Sequence, residues 1–301
     1  MPRPGPTHAA DLSPLVRFVL RHVQVQATGG SRQKWEHGYT LEPRVVRSHN
    51  LLHVTRGRPV WVVEGEELPL SPGDLLIVPP GPRHHAYCRT RRITLFSLHV
   101  DATLPGGRSV FDLLSPPRLQ RVAPGTHLDR YLRHAIGEYD RPTSDQTVAT
   151  MHAWADLIVR ELLLATAARG DLRENALDPV VAATLEELQR RIAQSTTLDD
   201  LAARAGYTPQ HLNRVFRRAL GVTPLQHLAR LRVEHAAALL REGRLTVAAV
   251  AARCGFTDPY YFSRVFHAHT GRSPARYRDE AGSDSPSASS GDPWRARPGP
   301  R

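Results

Sequence analysis

The sequence predicts an α+β chain of two domains, an N-terminal β-barrel or sandwich carrying helices and a C-terminal all-α double helix-turn-helix. Three observations predict it. A motif occurs twice, at 201–224 and 250–274. Short apolar runs separated by turn residues fill about 15–100, the pattern of a β-sandwich or barrel. From Thr126 to Arg169 the apolar period becomes helical. A length of 301 residues accommodates two such domains.

The first half reads as follows. Residues 1–14 read as a flexible arm and 15–169 as the N-terminal domain. VRFVLRHVQVQA, PRVVRSHNLLHVTRG, PVWVVEGEELPL, GDLLIVPPG and RITLFSLHV read as strands between Gly, Pro and Asp turns. HLDRYLRHAIGEYD and TVATMHAWADLIVRELLLATAAR read as amphipathic helices, the second with Met151, Trp154, Leu157, Ile158, Leu162 and Leu163 on one face. Such a face packs against the barrel or pairs two chains as a homodimer. The polar stretch GDLRENALDP at 170–179 reads as a linker.

The repeat occupies the predicted all-α domain, 180–278. Ala203/Ala252, Arg204/Arg253, Gly206/Gly255 and Thr208/Thr257 match at an offset of 49. After one inserted residue, Pro209/Pro259, Arg214/Arg264, Val215/Val265, Phe216/Phe266, Gly221/Gly271 and Pro224/Pro274 match at 50. Each copy has one grammar. Thr197 or Thr246 caps a short helix, Leu201 and Ala202 or Val250 and Ala251 supply its apolar face, and a glycine ends it. Proline then opens a second helix, where its missing N–H loses no bond. Leu212, Val215 and Phe216, or Phe262, Val265 and Phe266, form the buried stripe of that helix. A longer connecting helix, LQHLARLRVEHAAALLREG, is apolar at Leu228, Leu231, Ala238 and Leu239. It suits a rigid spacer between two heads reading major grooves about 34 Å apart.

AGYTPQHLNRVFRRALGVTPLQHL and GFTDPYYFSRVFHAHTGRSPARYR together resemble the AraC/XylS family of bacterial transcription regulators over about 180–278. The resemblance implies promoter DNA as partner, activation through RNA polymerase, and base contacts near the starts of the two second helices. On matching positions these contacts are Gln210, His211, Asn213 and Arg214, then Asp258, Tyr260, Tyr261, Ser263 and Arg264. Arg217 and Arg218 add candidate contacts on the first of these helices. Arginine suits both phosphate and the O6/N7 edge of guanine, with an ion pair as the structural alternative. Tyr260 and Tyr261 fit either packing or DNA contact. His267 and His269 stand where the family often has lysine.

In the first half, Gly73–His84 has the spacing G-x5-P-x-G-x2-H. This resembles the second motif of the cupin superfamily, the usual partner of the double helix-turn-helix in arabinose-type regulators. A cupin metal site needs a His-x-His first motif as well, but His49 and His53 are four apart and no glutamate follows at the needed spacing. A non-catalytic barrel is therefore expected, with no metal and no cofactor. The resemblance implies that it binds a small effector, a sugar or an aromatic compound. Barrel-strand position and residue type suggest Trp35, His37, Tyr39, His53, Trp61, His84 and Tyr87 as lining, Trp61 fitting the core equally well.

The net charge of +11 favours a polyanionic partner. Residues 180–278 hold 15 arginines and 7 acidic residues, a net of +8. Lys34 is the single lysine. Two cysteines, Cys88 and Cys254, fall in separate domains and suggest a reducing compartment. No apolar leader and no run of 18 apolar residues occurs, so a cytoplasmic protein without a membrane partner is expected. The tail 279–301, rich in Ser, Pro and Gly, reads as disordered. The function expected is an effector-responsive transcription regulator, an activator and not an enzyme. The alternative is a cupin-type metal enzyme fused to a DNA-binding domain, and a third reading is a constitutive DNA-binding protein whose barrel only dimerises.

Overall fold

The computed structural model describes residues 12–88, 90–139, 145–243 and 245–283. The expected arm as far as residue 11, and the expected disordered tail from 284, lie outside the described residues. The chain divides into two compact units. One comprises the residues up to Leu185 together with Gln210–Thr223; the other comprises Glu186–Pro209 and the chain from Pro224 onward. This division differs from the expected boundary at 180, because most of the second helix of the first repeat joins the first unit.

The first unit opens with helix α1 (Pro14–His22), followed by strands β1 (Gln24–Glu36), β2 (Thr40–Arg44), β3 (His49–Arg56), β4 (Pro59–Val63), β5 (Glu66–Pro69), β6 (Asp74–Val78), β7 (His84–Cys88) and β8 (Arg92–Thr103). Two short strands follow, β9 (Leu114–Ser115) and β10 (Leu119–Arg121), then helices α2 (His127–Tyr139) and α3 (Asp145–Ala168), and strand β11 (Arg173–Glu174). The strands form a five-stranded sheet ordered β1-β8-β3-β6-β10 and a four-stranded sheet ordered β2-β7-β4-β5. Every strand pair is antiparallel. The two sheets share one core. Trp35, Leu52, Val54, Leu76, Val78, Ile93 and Leu95 come from the first, and Trp61, Val63, Ala86 and Cys88 from the second.

Helices α2 and α3 pack against β1, and α3 also against β8, on the other face of the five-stranded sheet. Leu75, Leu76, Ile77 and Val78 of β6 are all buried, the continuous apolar run of a strand covered on both sides. Gly30 is needed here, because a Cβ at that position would collide with the Tyr139 ring of α2. On α3, Met151, Ile158, Leu162 and Leu163 are buried as expected, but Leu157 is 37% exposed.

One expectation is corrected in this unit. VRFVLRH is helix α1, not strand. Ser13 accepts a hydrogen bond from Val16 N at 3.1 Å, and Pro14 occupies the first turn. Leu15, Val16, Phe18, Val19 and His22 are its buried face, a helical period that the apolar run disguised. Arg160 of α3 donates to the carbonyls of Leu20 and Val23 at the end of α1. The polar stretch expected as a linker, 170–179, is tied to β9 and the residues before it. Arg173 pairs with Ser115, and Asn175 Nδ2 donates to Asp112 O at 2.9 Å and Ser115 Oγ at 3.0 Å.

Helix α4 (Pro179–Arg190) carries the chain into the second unit, which contains α5 (Leu198–Ala205); α6 (Pro209–Leu220) belongs mostly to the first unit. The second unit continues with α7 (Pro224–Arg241), α8 (Val247–Arg253), α9 (Pro259–Thr270) and α10 (Pro274–Ser283). Helix α10 thus continues five residues into the stretch expected to be disordered. Val233, Ala236 and Leu240 of α7 pack with Val250, Ala251, Cys254, Phe256, Phe262 and Phe266. The buried side of α7 also includes Leu228 and Leu231, whereas Ala238 is exposed, so that expectation shifts by a fraction of a turn.

Candidate functional site

Local chemistry builds both copies of the repeat. Thr197 Oγ1 accepts from Asp200 N at 3.1 Å, and Asp200 Oδ2 accepts from Thr197 N at 2.9 Å, a reciprocal capping box at the start of α5. Thr246 Oγ1 accepts from Ala249 N at 3.2 Å at the start of α8. Gly206 closes α5 with φ of +70°. In the second copy Cys254 caps α8, and Gly255 takes the left-handed conformation at φ of +77°. A side chain at 255 would also press on Ala193 and on the Arg232 guanidinium. Arg232 is a brace that sequence reasoning missed. Its Nε donates to Ile192 O at 3.0 Å, and its guanidinium lies 5.6 Å from the centre of the Phe256 ring.

Helices α6 and α9 each bury one stripe and expose another. On α6, Leu212, Phe216 and Leu220 are buried, while Gln210, Arg214, Arg217 and Arg218 are exposed one and two turns apart. His211 and Asn213 are half-buried beside that stripe. Arg214 Nη2 lies 3.2 Å from His211 Nδ1, so it is steadied by a neighbour on its own helix. The first unit holds this helix through Phe18, whose ring meets Phe216 edge-on at 6.5 Å.

On α9, Phe262 and Phe266 are buried, while Tyr260, Tyr261, Arg264 and His267 are exposed. Tyr260 is 83% exposed, which leaves it no packing role within its unit. Tyr261 is half-exposed and lies between Phe256, 6.2 Å away, and the Arg264 guanidinium, 6.0 Å away. Asp258 is committed as the helix cap, its Oδ1 accepting from Tyr260 N at 2.8 Å. Ser263 Oγ donates back to Pro259 O at 2.9 Å. These two therefore position the helix, while Tyr260 and Arg264 are presented outward.

The arginines divide into two groups. Arg190, Arg191 and Arg204 converge on Glu187. The hydrogen bond from Arg191, with Arg190 and Arg204 adding to it, holds that carboxyl below the ordinary glutamate range against the opposing effect of burial. Arg272 and Arg276 share Glu280, and Arg230 meets Glu234. Among the described residues Arg214, Arg217, Arg218, Arg241, Arg253 and Arg264 have no carboxylate partner.

The residues expected to line an effector site separate. Trp35, Trp61 and His84 come together inside the sandwich, with ring centres 5.7 Å and 6.2 Å apart along the series. Trp61 and His84 are fully buried. His53 points to the opposite face of its sheet. It sits across from Phe96, whose ring meets Tyr139 of α2, and its Nδ1 faces Asp74 O at 3.2 Å. Tyr87 also points outward, donating to Glu67 Oε1 at 2.7 Å. His37 lies exposed in the turn after β1, and Tyr39 is 42% exposed while stacked on Trp35 at 4.7 Å. Sequence reasoning missed Arg44, Asn50 and His99, which face the interior with His84. Arg44 pairs directly with His84 across β2 and β7, and Asn50 with His99 across β3 and β8. The one advance signal was a polar Asn50 directly before the apolar Leu51 and Leu52.

Burial lowers the pKa of His49, His53, His84 and His99 below the usual histidine value, and Arg44 acts in the same direction on the last two. Folding thus favours their neutral forms. The stabilisation is complete above the unfolded value of about 6.5 and is lost as the pH falls toward the depressed folded values. The melting temperature of the first unit, followed by tryptophan fluorescence, is expected to fall between pH 7 and pH 5. A flat profile would contradict the burial of these rings. Among the described residues no three His, Cys, Asp or Glu side chains cluster as metal ligands.

A model of the AraC-like ligand binding domain matches residues 25–158, and a model of a helix-turn-helix domain matches 201–280. The chain belongs to the AraC family of transcriptional regulators. Together the two matches take in more than half of it. Within the family, the chain is 32% identical over 151 residues to the HTH-type transcriptional activator RhaR of Escherichia coli, covering 48% of this chain and 53% of RhaR. It therefore spans about half the length of the curated relatives it matches. It is 25% identical over 262 residues to the HTH-type transcriptional regulator YisR of Bacillus subtilis, covering 80% of this chain and 89% of YisR. Among solved structures it is similar to the C-terminal domain of AraT, a response regulator from Geobacillus stearothermophilus. The identity is 32%, the coverage 35% of this chain and 88% of that one, and the TM-score 0.34. No helix among the described residues is long and apolar enough to cross a membrane.

Proposed function

We propose that this AraC-family chain is a sequence-specific DNA-binding regulator, responsive to a small effector, that inserts α6 and α9 into successive major grooves of promoter DNA. One observation carries the reading. The two copies of the motif each bury a Leu/Phe or Phe/Phe stripe and leave an arginine-bearing stripe, Gln210/Arg214/Arg217 and Tyr260/Arg264/His267, open to solvent. Duplicated helices with the same exposed geometry suit two-groove recognition. The sandwich, with its polar interior, supports effector binding over catalysis. The likeness to RhaR, described as an activator, supports activation of transcription, with RNA polymerase as the partner proposed for it. Val148 and Leu157, exposed on α3, support pairing of two chains through that helix in the cytoplasm.

The test is binding of the full chain to DNA upstream of its own gene, against excess random competitor. Retained binding is expected. Arg214→Ala is expected to cost about 1–3 kcal/mol at one operator position if the guanidinium reads a base. Equal weakening on every sequence would assign it to phosphate instead. No enriched site after selection from genomic fragments, with and without candidate effectors, would defeat the reading.

A further inference from the structure

The inner face of the sandwich is apolar at one end and polar at the other. Trp35, Trp61, Ile93 and Leu95 close the apolar end. Farther along β3 and β8 the inward residues become Asn50, Ser97 and His99, and β2 brings Arg44 opposite His84. Ser97 Oγ donates to Asn50 Oδ1 at 2.9 Å, which turns the Asn50 amide hydrogens elsewhere. A cleft of about 390 Å³ reaches this end at His99; Thr28, Arg47, Ser48 and Asp101 also line it, and Arg44, Asn50 and His84 lie behind that lining.

Four polar atoms in this interior have no hydrogen-bond partner among the described residues: Arg44 Nε, Asn50 Nδ2, Trp61 Nε1 and His84 Nε2. Asn50, Trp61 and His84 are fully buried. Native proteins pair nearly all such atoms, so four in one interior point to a partner from outside the chain. Their chemistry defines it. Three are N–H donors. His84 Nδ1 faces the Pro82 carbonyl at 3.4 Å, so that nitrogen carries the proton and Nε2 is an acceptor. Arg44 is permanently charged and has no carboxylate partner among the described residues. Burial favours the neutral forms of His84 and His99 beside it. An aromatic ligand finds little room to stack: Trp35 is faced by Tyr39 and Trp61, and Trp61 by Trp35 and His84.

We propose that this end of the sandwich binds a small hydroxycarboxylate, a sugar acid being the polyhydroxylated case. Its carboxylate accepts from Arg44 Nε and Asn50 Nδ2, and one of its hydroxyls donates to His84 Nε2. The proposal rests on the effector reading above and narrows it from a sugar or aromatic compound to an anionic, hydroxylated one.

Calorimetry on the full chain tests it with galacturonate and glucuronate, the neutral sugars galactose and glucose, and benzoate. A uronate is expected to bind at least tenfold more tightly than its neutral sugar and than benzoate. Arg44→Gln should abolish that preference. Asn50→Asp keeps the acceptor for Ser97 but sets a negative charge against the ligand. It should weaken uronate binding at least tenfold, with the melting temperature of the ligand-free chain near that of the wild type. Equal or tighter binding of a neutral sugar or benzoate, an unaffected Asn50→Asp chain, or no binding of any probe overturns the proposal. Competitor-resistant DNA binding that responds to galactose or benzoate would do so while leaving the effector reading intact. A uronate that binds as expected but never alters DNA affinity would sink the effector reading and leave the site.

Discussion

Phe262→Ala is expected to destabilise the second helix-turn-helix by about 3–5 kcal/mol, the usual cost of emptying a buried phenylalanine site. Phe262 is fully buried, with ring centres 5.0 Å from Phe256 and 5.5 Å from Phe266. It joins α9 to the side of the unit built by Val233, Ala236 and Leu240 of α7. Domains of this kind hold only about 5–15 kcal/mol in total, so much of the folded population would be lost near physiological temperature. Denaturant unfolding followed by far-ultraviolet circular dichroism measures the cost, and competitor-resistant DNA binding should disappear with it. Tyr260→Ala is the control on the same helix. At 83% exposure it should change stability by less than about 0.5 kcal/mol while weakening DNA binding. A cost below about 1 kcal/mol for Phe262→Ala would mean that the aromatic cluster is not the core of this unit.

DNA affinity is expected to fall about a thousandfold between 50 and 200 mM salt. The arginines available for contact, and not the net charge, set this dependence. Residues 180–278 carry a net of +8, but Arg190, Arg191, Arg204, Arg272 and Arg276 are held by Glu187 or Glu280. Arg232 is turned to the backbone carbonyls of Ile192 and Gln194. Arg230 and Arg278 meet Glu234 and Asp279, and Arg244 lies outside the described residues, so six arginines without carboxylate partners among the described residues remain. At about 0.9 per phosphate contact, they set a slope of about −5 in log K against log salt. Arg217→Ala and Arg218→Ala should each reduce the slope by about 1 if those side chains hold phosphate. A slope near zero would show that the exposed stripes do not meet the DNA backbone.

The repeat was legible because its rules are local. Thr197, Thr246, Gly206 and Gly255 act on residues within one turn of themselves, and all four occupy the roles their types suggest. Phe216, Phe262 and Phe266 follow from helical spacing alone. The exposed arginines of α6 and α9 could also be placed on a face. The same reading could not show that Asp258 is spent as a cap, or that Arg232 is turned to the carbonyls of Ile192 and Gln194. Helix α1 was missed because its apolar run merges with β1, although Ser13 and Pro14 already marked a helix start.

By itself the sequence determined two domains of different class, the duplicated motif, its caps and turns, and the surplus of arginine, since each depends on neighbours a few residues away. Only the tertiary structure decided which side of each strand faces the interior. Alternation along a strand defines two faces but does not say which one meets the second sheet and which meets α2 and α3. That choice turned His53 and Tyr87 away from the interior and brought Arg44, Asn50 and His99 together with His84. Residues so far apart in the chain become neighbours only through strand pairing, which no local pattern encodes.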